Sequence, residues 1–350
     1  MQSADTHKRR ILITGVAGVI GFHLARRLLK GSKGETEIVG IDSLTGFYDV
    51  SLKVARLREL GVTIGSHASE EAWGRGYASE SEPAFTFCRI DIADHEAMDK
   101  LMGETRFDVV FHLAAQASAR YSTENPREYL ETNLVGFFNV LDACRRSEVG
   151  HLVFASSSSV YGMNENVPYN EDDDASRPVS FYAATKRSNE LMAHSYAAVY
   201  GLRVTGLRFF SVYGPWGRPD MAPYLFIDAI LHGRQIKVYN QGDMYRDFTY
   251  IDYVVEGIVS LMEDAADEKF SIYNVGNSAP VKLTDYITTI EEVAGREAEK
   301  VMLPMQAGDM YRTYADCGAL LRATGFTPST ALKEGIGKTV AWFKDYYKLK

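Results

Sequence analysis

The sequence is poor in what several function classes require. Its three cysteines, Cys88, Cys144 and Cys317, are odd in number and far apart, with no CxxC or Cys/His spacing. A disulfide framework or a zinc knuckle is therefore not expected, and unpaired thiols in a reducing compartment are. The eight histidines show no HExxH-type spacing, so no metal site is expected. Basic residues are outnumbered, 38 Lys and Arg against 46 Asp and Glu for a net charge of −8. That balance lacks the excess a nucleic-acid surface needs, but a few placed groups suffice to hold a single nucleotide. No apolar run approaches the roughly 18 residues of a membrane span. The start, "MQSADTHKRRILITG", is basic and briefly apolar without a long hydrophobic region or cleavage site, so a cytoplasmic protein without a membrane partner is expected. Internal repeats and low-complexity tracts are also missing.

What is present is a rhythm. "RILITG", "EIVGID", "FTFCRIDI", "DVVFHLAA" and "HLVFASSS" are short unbroken apolar runs, and between them lie helical stretches such as "FHLARRLLKGS", "HEAMDKLMG" and "YLETNLVGFFNVLDACRR". Short strands without alternation, separated by helices, predict a doubly wound parallel α/β sheet of Rossmann type covered on both faces. Residues 61–84 break the rhythm and read as a surface insertion rich in Gly, Ser and Glu. From about residue 205 the pattern loosens into mixed strand and loop. The expected division is a dinucleotide-binding domain over 8–204 and a smaller mixed α/β substrate lobe over 205–346, with some chain crossing between the two. Aromatic residues such as Tyr286, Trp342 and Phe343 are most simply core.

"GVAGVIG" puts Gly15, Gly18 and Gly21 between a strand and a helix. Glycines there keep the turn tight and let backbone amides approach a pyrophosphate at the helix N-terminus. About twenty residues further on, Asp42 ends the next strand, where a carboxylate accepts from ribose hydroxyls and repels a 2′-phosphate, favouring NAD over NADP. Asp91 and Ile92, ending a third strand, flank the adenine on this reading, a solvated loop aspartate being the alternative for Asp91.

"FYAATKRSNELMAHSYAAVYG" reads as a long helix that opens with Tyr182 and Lys186, four residues apart and so on one face. Tyrosine, with a reference pKa of about 10, is a poor base at neutral pH; bringing it to about 7 takes roughly 4 kcal/mol. A neighbouring ammonium and a positively charged nicotinamide would supply that shift. Some 25 residues upstream, four serines follow the strand "HLVFA".

With "TGVAGVIGFHLARRLL", "HLAAQASARYSTENP", "YAATKRSNELMAHSYA", "LRFFSVYGPWGRPDM" and "RDFTYIDYVVEGI" in place, the chain resembles an extended short-chain dehydrogenase/reductase of the nucleotide-sugar epimerase kind from residue 10 to about 345. "YDVSLKVARL", "GPWGRPDM" and "LPMQAGD" make it most similar to the UDP-glucuronate 4-epimerases. The resemblance implies an NAD-dependent isomerase of polysaccharide biosynthesis that removes a hydride from C4 of a UDP-sugar and returns it to the other face. Ser157, Tyr182 and Lys186 would be catalytic. Ala17, Val19, Ile20, Ser43, Leu113, Ala114, Ala115, Gln116 and Phe209 would line the cofactor with the residues above. Asn133 would join them, with a capping or buried polar role as its alternative.

On the substrate side the resemblance implies Ser157, Ser158, Ser159, Tyr182, Ser211, Arg218, Arg246 and Asp309. Arg218 has a solvated loop arginine as its alternative, and Arg120 is the weakest candidate. Related dehydratases carry Asp-Glu where Ser158 and Ser159 stand, and UDP-glucuronate decarboxylases carry a glutamate at the second position. Serine offers neither acid nor base near pH 7, whereas C4 epimerisation needs no further carboxylate. The alternatives are a C4-epimerase of a neutral UDP-sugar (glucose, N-acetylglucosamine or a pentose) and, further off, a UDP-glucuronate decarboxylase. Tyr245 stands where relatives often have a second basic residue, one cation fewer near the substrate. Relatives pair through two helices that match 127–146 and 183–200, so a homodimer is expected.

Overall fold

The computed structural model describes residues 8–31, 34–64, 76–263, 268–305 and 310–349. Its contacts group the chain into two compact units, one of residues 1–155, 185–206 and 265–271, the other of 156–184, 207–264 and 272–350. The sequence reading places a boundary after residue 204 with some chain crossing between the lobes; the chain changes units at 155/156, 184/185 and 206/207 and makes one further excursion at 265–271.

Along the first unit run β1 (Arg9–Thr14), α1 (Val19–Gly31), β2 (Thr36–Asp42), α2 (Val50–Glu59), β3 (Gly76–Ala78), β4 (Phe85–Arg89), α3 (His95–Glu104) and β5 (Val109–His112). The short helices α4 (Tyr121–Glu124) and α5 (Pro126–Tyr129), a π-helix (Leu130–Gly136) and α6 (Phe137–Arg146) come next, then β6 (His151–Ser157), α7 (Phe181–Tyr200) and β7 (Val204–Phe209). With β12 (Phe270–Val275), which begins in the later excursion and ends in the second unit's stretch, the eight-stranded sheet has the order β12-β7-β6-β5-β1-β2-β4-β3. β1 pairs in parallel with β2 and β5, β2 with β4, and β5 with β6. β1 and β5 are wholly apolar in their centres, with Ile11, Leu12, Ile13, Val110 and Phe111 fully buried. This is what a sheet covered by helices on both faces requires, each large side chain contributing about 1.5–3 kcal/mol by burial. Strand order reverses at the β1–β5 junction, the place where open α/β sheets bind ligands at their carboxyl ends.

Two stretches differ from their sequence reading. "YLETNLVGFFNVLDACRR" is not a uniform α-helix but α5, the π-helix and α6 in succession. The insertion at 61–84 is not all irregular, because its Gly76–Ala78 forms an antiparallel edge strand on β4; its residues 65–75 lie outside the described residues.

The second unit carries β8 (Ser211–Tyr213), α8 (Ala222–His232), β9 (Ile236–Val238), β10 (Tyr245–Arg246), β11 (Phe248–Tyr250), α9 (Ile251–Glu263), β13 (Val281–Lys282), α10 (Leu283–Ala294), β14 (Lys300–Met302), β15 (Arg312–Thr313), α11 (Gly318–Thr324) and α12 (Leu332–Tyr346). Its strands make three small sheets, β13-β10-β15, β11-β8 and β14-β9. Tyr286 and Phe343 are buried there as expected, and Trp342 is half-buried. No helix among the described residues is long and apolar enough to cross a membrane.

Candidate active site

The turn after β1 is built around Gly15. Its φ is +71°, and a Cβ there would lie 2.6 Å from the Ala114 amide nitrogen, so the turn can press against the end of β5 only as glycine. A Cβ on Gly21 would collide with the Gly15 carbonyl. The first helical bond of α1 runs from Phe22 N to Gly18 O at 2.9 Å, which leaves the amides of Val19, Ile20 and Gly21 without helical acceptors. No acidic residue sits in that first turn, which suits an anion.

Asp42 ends β2 with its carboxylate already half engaged. Oδ2 accepts from Ala17 N at 3.2 Å, Oδ1 accepts from Leu44 N at 2.8 Å, and Lys53 Nζ is 3.8 Å away. A carboxylate has about four acceptor sites, so capacity for ribose hydroxyls remains. Ser43 is next in the chain, and its carbonyl accepts from Arg89 Nε. The turn and the acidic residue therefore fit a dinucleotide diphosphate and an unphosphorylated ribose. Two residues that sequence reasoning misses hold this arrangement. Arg56, fully buried on α2, donates to the Ala17 carbonyl at 2.6 Å and to the Tyr48 hydroxyl at 2.7 Å; Lys53 packs one turn earlier on the same helix. The K-x-x-R spacing in "SLKVARL" is the available signal.

At the end of β5 the Thr14 hydroxyl is 2.9 Å from His112 Nδ1 and accepts from Ala114 N at 3.1 Å. Burial, helped by the Lys186 charge, pushes His112 down to about 3, so it is neutral. The loop Leu113–Gln116 is fastened by Asn133, whose Oδ1 accepts from Gln116 N at 2.8 Å and whose Nδ2 donates to Gln116 O at 3.0 Å and Thr185 Oγ1 at 3.1 Å. The buried polar alternative thus describes what Asn133 does to its neighbours. It sits in the π-helix, whose Gly136 leaves room for Ile92; a Cβ there would meet the Ile92 side chain at 2.7 Å. Asp91 Oδ1 caps its own turn through Ala93 N at 2.9 Å. Arg120 is exposed at the start of α4.

Helix α7 carries both members of the tyrosine–lysine pair, Tyr182 in the second unit's stretch and Lys186 in the first's. Lys186 is 2% exposed and donates to the Ala155 carbonyl at 2.8 Å; burial lowers it to about 8, with Glu190 one turn on opposing the shift. Tyr182 departs from expectation. Its hydroxyl is pushed above the ordinary tyrosine value by burial, against a hydrogen bond with Ser157 and the positive charge of Arg218. Desolvation of the phenolate outweighs both, so the lowering expected from the sequence is not present in the protein chain by itself.

Ser157 closes β6, nearly buried; Ser159 N donates to its Oγ at 3.2 Å, and its Oγ donates to Ser159 Oγ at 3.2 Å. Ser158 and Ser159 open a 3₁₀ turn, Ser158–Tyr161, and are half-buried. Tyr161 anchors that turn from below. It stacks on Tyr169 at 4.4 Å, donates to Asn274 Oδ1 at 2.6 Å and accepts from Arg208 Nη1 at 3.0 Å.

Arg218 lies in the "GPWGRPDM" loop and grips Asp220, Nε to Oδ1 at 3.0 Å with Nη2 on Oδ2. The loop is fixed by Trp216, whose φ is +62°, between Trp342 at 5.3 Å and Tyr346 at 5.2 Å of α12. Ser211 begins β8 and Phe209 ends β7. Arg246 on β10 donates to the Tyr245 carbonyl at 2.9 Å, and the next residue, Asp247, accepts from the amides of Asn277, Ser278 and Ala315 at 2.6–3.1 Å. Asp309 lies outside the described residues. The structure thus gathers Ser157, Ser159 and Tyr182, with Arg218 near enough to act on the phenol.

A glycine turn on a β1–β5 switch point, an acidic residue ending β2 and a serine–tyrosine pair one helical turn before a buried lysine define a nucleotide-dependent short-chain enzyme. Residues 11–276 match the NAD dependent epimerase/dehydratase family, and the chain belongs to it. More particularly, it is 42% identical to a probable UDP-glucuronate 4-epimerase of Rhizobium meliloti, over 97% of this chain and 98% of that one. Among solved structures it superposes on the UDP-glucuronic acid 4-epimerase of Bacillus cereus in complex with UDP-glucuronic acid and NAD, with a TM-score of 0.86, 31% identity and coverage of 97% and 100%. A UDP-glucose 4-epimerase of Thermotoga maritima with UDP-glucose matches at a TM-score of 0.81 and 27% identity, covering 97% and 99%. The cofactor is NAD.

Proposed function

We propose that the chain interconverts UDP-glucuronate and UDP-galacturonate by inversion at C4. The observation that carries this reading is the carboxylate-free tract Ser157–Ser159, hydrogen-bonded within itself and to Tyr182. When bound, NAD supplies the reversible hydride acceptor at C4, held by the turn Gly15–Gly21 and Asp42. Tyr182 takes the O4 proton and later returns it, with Ser157 bridging the phenol and the sugar oxygen. Arg218 favours the phenolate. A 4-keto glucuronate is a β-keto acid that loses carbon dioxide readily. Ser158 and Ser159 offer its carboxylate hydrogen bonds without an acid or base that would drive decarboxylation or dehydration.

Incubation with UDP-glucuronate and NAD, with the sugar read by proton NMR and mass spectrometry, tests this. The expected product has unchanged mass and galacto coupling at H4. A product lighter by carbon dioxide would refute the role given to the serines, and no turnover, with activity on UDP-glucose instead, would favour the neutral-sugar reading.

Homodimerisation through α6 and α7 is part of the same reading. Phe138 is 45% exposed, Leu191 58% and Val199 69% on those helices, apolar area that a second copy would cover. Light scattering at a monomer mass would remove it. The three buried, free cysteines support a cytoplasmic setting.

A further inference from the structure

The glycine turn lies between two loops of the first unit, and the structure joins those loops to each other. The strand order β5-β1-β2 puts the ends of β2 and β5 on either side of β1, about 10 Å apart. Each loop touches the turn directly. Asp42 takes the Ala17 amide, and Ala114 stands so close to Gly15 that no Cβ would fit between them. Further out the two loops meet. The ring of Phe47, after β2, stands 5.0 Å from that of Tyr121, after β5, tilted by 60°. These two half-buried side chains close a circuit that runs from Ala17 to Asp42, along the chain to Phe47, across to Tyr121 and back by Ala114 to Gly15.

Both arms are built to hold that meeting. Leu44, with φ +57°, and Ser118, with φ +117°, are non-glycine residues in left-handed backbone, one in each arm. Such backbone persists only where its surroundings over-determine it, and it collects at ligand clamps. Leu44 is kept there by its amide on Asp42 Oδ1, and Ser118 by the Tyr129 hydroxyl, which donates to its carbonyl at 2.7 Å. On either side of Phe47, Lys53 donates to Thr45 Oγ1 at 3.1 Å and Arg56 to the Tyr48 hydroxyl. In the other arm the Tyr121 hydroxyl donates to Glu128 at 3.3 Å, and Glu128 accepts from Gln116 Nε2 at 3.0 Å. Tyr121 is thus fastened to the loop Leu113–Gln116 that faces the glycine turn. The arms are held by hydrogen bonds, whereas the joint is a ring contact, which parts without stranding a buried polar group.

We infer that Phe47 and Tyr121 form a strap across the cofactor crevice, which parts before NAD enters or leaves and so sets how long NAD stays. This rests on NAD lying along the glycine turn with its ribose on Asp42, inside the circuit.

The test follows release of radiolabelled NAD from the loaded full-length protein into excess unlabelled NAD. Equilibrium dialysis of the same protein gives Kd, and thermal melting verifies folding. In Phe47→Ala release quickens about tenfold. Kd rises by a much smaller factor, because a strap that parts more readily lets NAD in faster as well as out. Tyr121→Ala behaves alike, and the double variant is no faster than either single one, since each removes the whole joint. Tyr121→Phe, which keeps the ring, stays near the wild type.

Unchanged release in folded Phe47→Ala and Tyr121→Ala overturns the strap. So does a rise of release and Kd by the same factor, which would make the rings ordinary contacts of the nucleotide. Effects that multiply in the double variant would show two independent side chains and overturn it as well. A Gly15→Ala variant that keeps its NAD would put the cofactor elsewhere, and the strap falls with that placement.

Discussion

In the first unit the polar groups around the glycine turn are tied down from behind. Asp42 takes two backbone amides, Arg56 holds the Ala17 carbonyl, and Asn133 grips both polar atoms of the Gln116 backbone. In the second unit two arginines lean on neighbours: Arg218 on Asp220 and Arg246 on the carbonyl of Tyr245. The first arrangement fixes the backbone around the glycine turn from within the protein. On the proposed reading the second exchanges these contacts for those of a UDP-sugar. Fixed backbone thus lies on the side proposed for NAD, and exchangeable side-chain contacts on the side proposed for the substrate.

The strongest way to break this comparison is to remove the group that serves the transient ligand chemically while sparing the resident one. Tyr182→Phe should reduce turnover by about three orders of magnitude, with NAD still present in the purified protein by absorbance after extraction. Gly15→Ala attacks the other side. Its φ of +71° and the 2.6 Å approach to Ala114 N should cost about 1–3 kcal/mol and abolish NAD retention, read by the same extraction and by thermal melting.

Lys186→Met separates stability from catalysis. Lowering a lysine from 10.5 to about 8 corresponds to about 3 kcal/mol against the fold at neutral pH. Less about 1 kcal/mol for the lost bond to Ala155, the variant should be about 2 kcal/mol more stable by denaturant titration, and inactive. For the same reason wild-type stability should rise from about pH 8 towards pH 10.5, where only the unfolded lysine still holds its proton, and that rise should vanish in the variant.

Because burial raises Tyr182 and Arg218 opposes it, kcat/KM should climb with pH through the neutral range. Arg218→Met should move that limb to higher pH. The smallest effect is expected of Asp220→Asn. Freeing Arg218 from a partly exposed partner is worth about 1 kcal/mol or less, a fall of no more than about fivefold in KM for the UDP-sugar in steady-state kinetics.

The sheet, the glycine turn and the position of Asp42 are legible in the sequence because each is local: an apolar run, three glycines at fixed spacing, a strand end. Tyr182 and Lys186 are legible as a spacing, but the ionisation of Tyr182 is not, since it depends on how much of the fold buries the phenol. Arg56 and Lys53 are visible only as charges on a helix; their work requires knowing that α2 packs under the turn. Asn133 lies in a stretch that reads as plain α-helix, because a π-helix has no signature in hydrophobic period.

That π-helix sets the phase of α6 behind it. A π-turn takes in one residue more than an α-turn for about the same rotation, so converting the segment Leu130–Gly136 to α geometry at unchanged length would turn every later side chain of α6 by about 100°. Phe138 would leave the outward face on which it now stands 45% exposed, and Asn139, whose amide now reaches the carbonyls of Ile92 and Ala93, would swing away from them. A change of helix type in that one segment would thus disturb the contact with the Ile92–Ala93 turn and the outer face of the helix together, because one extra residue keeps both in step.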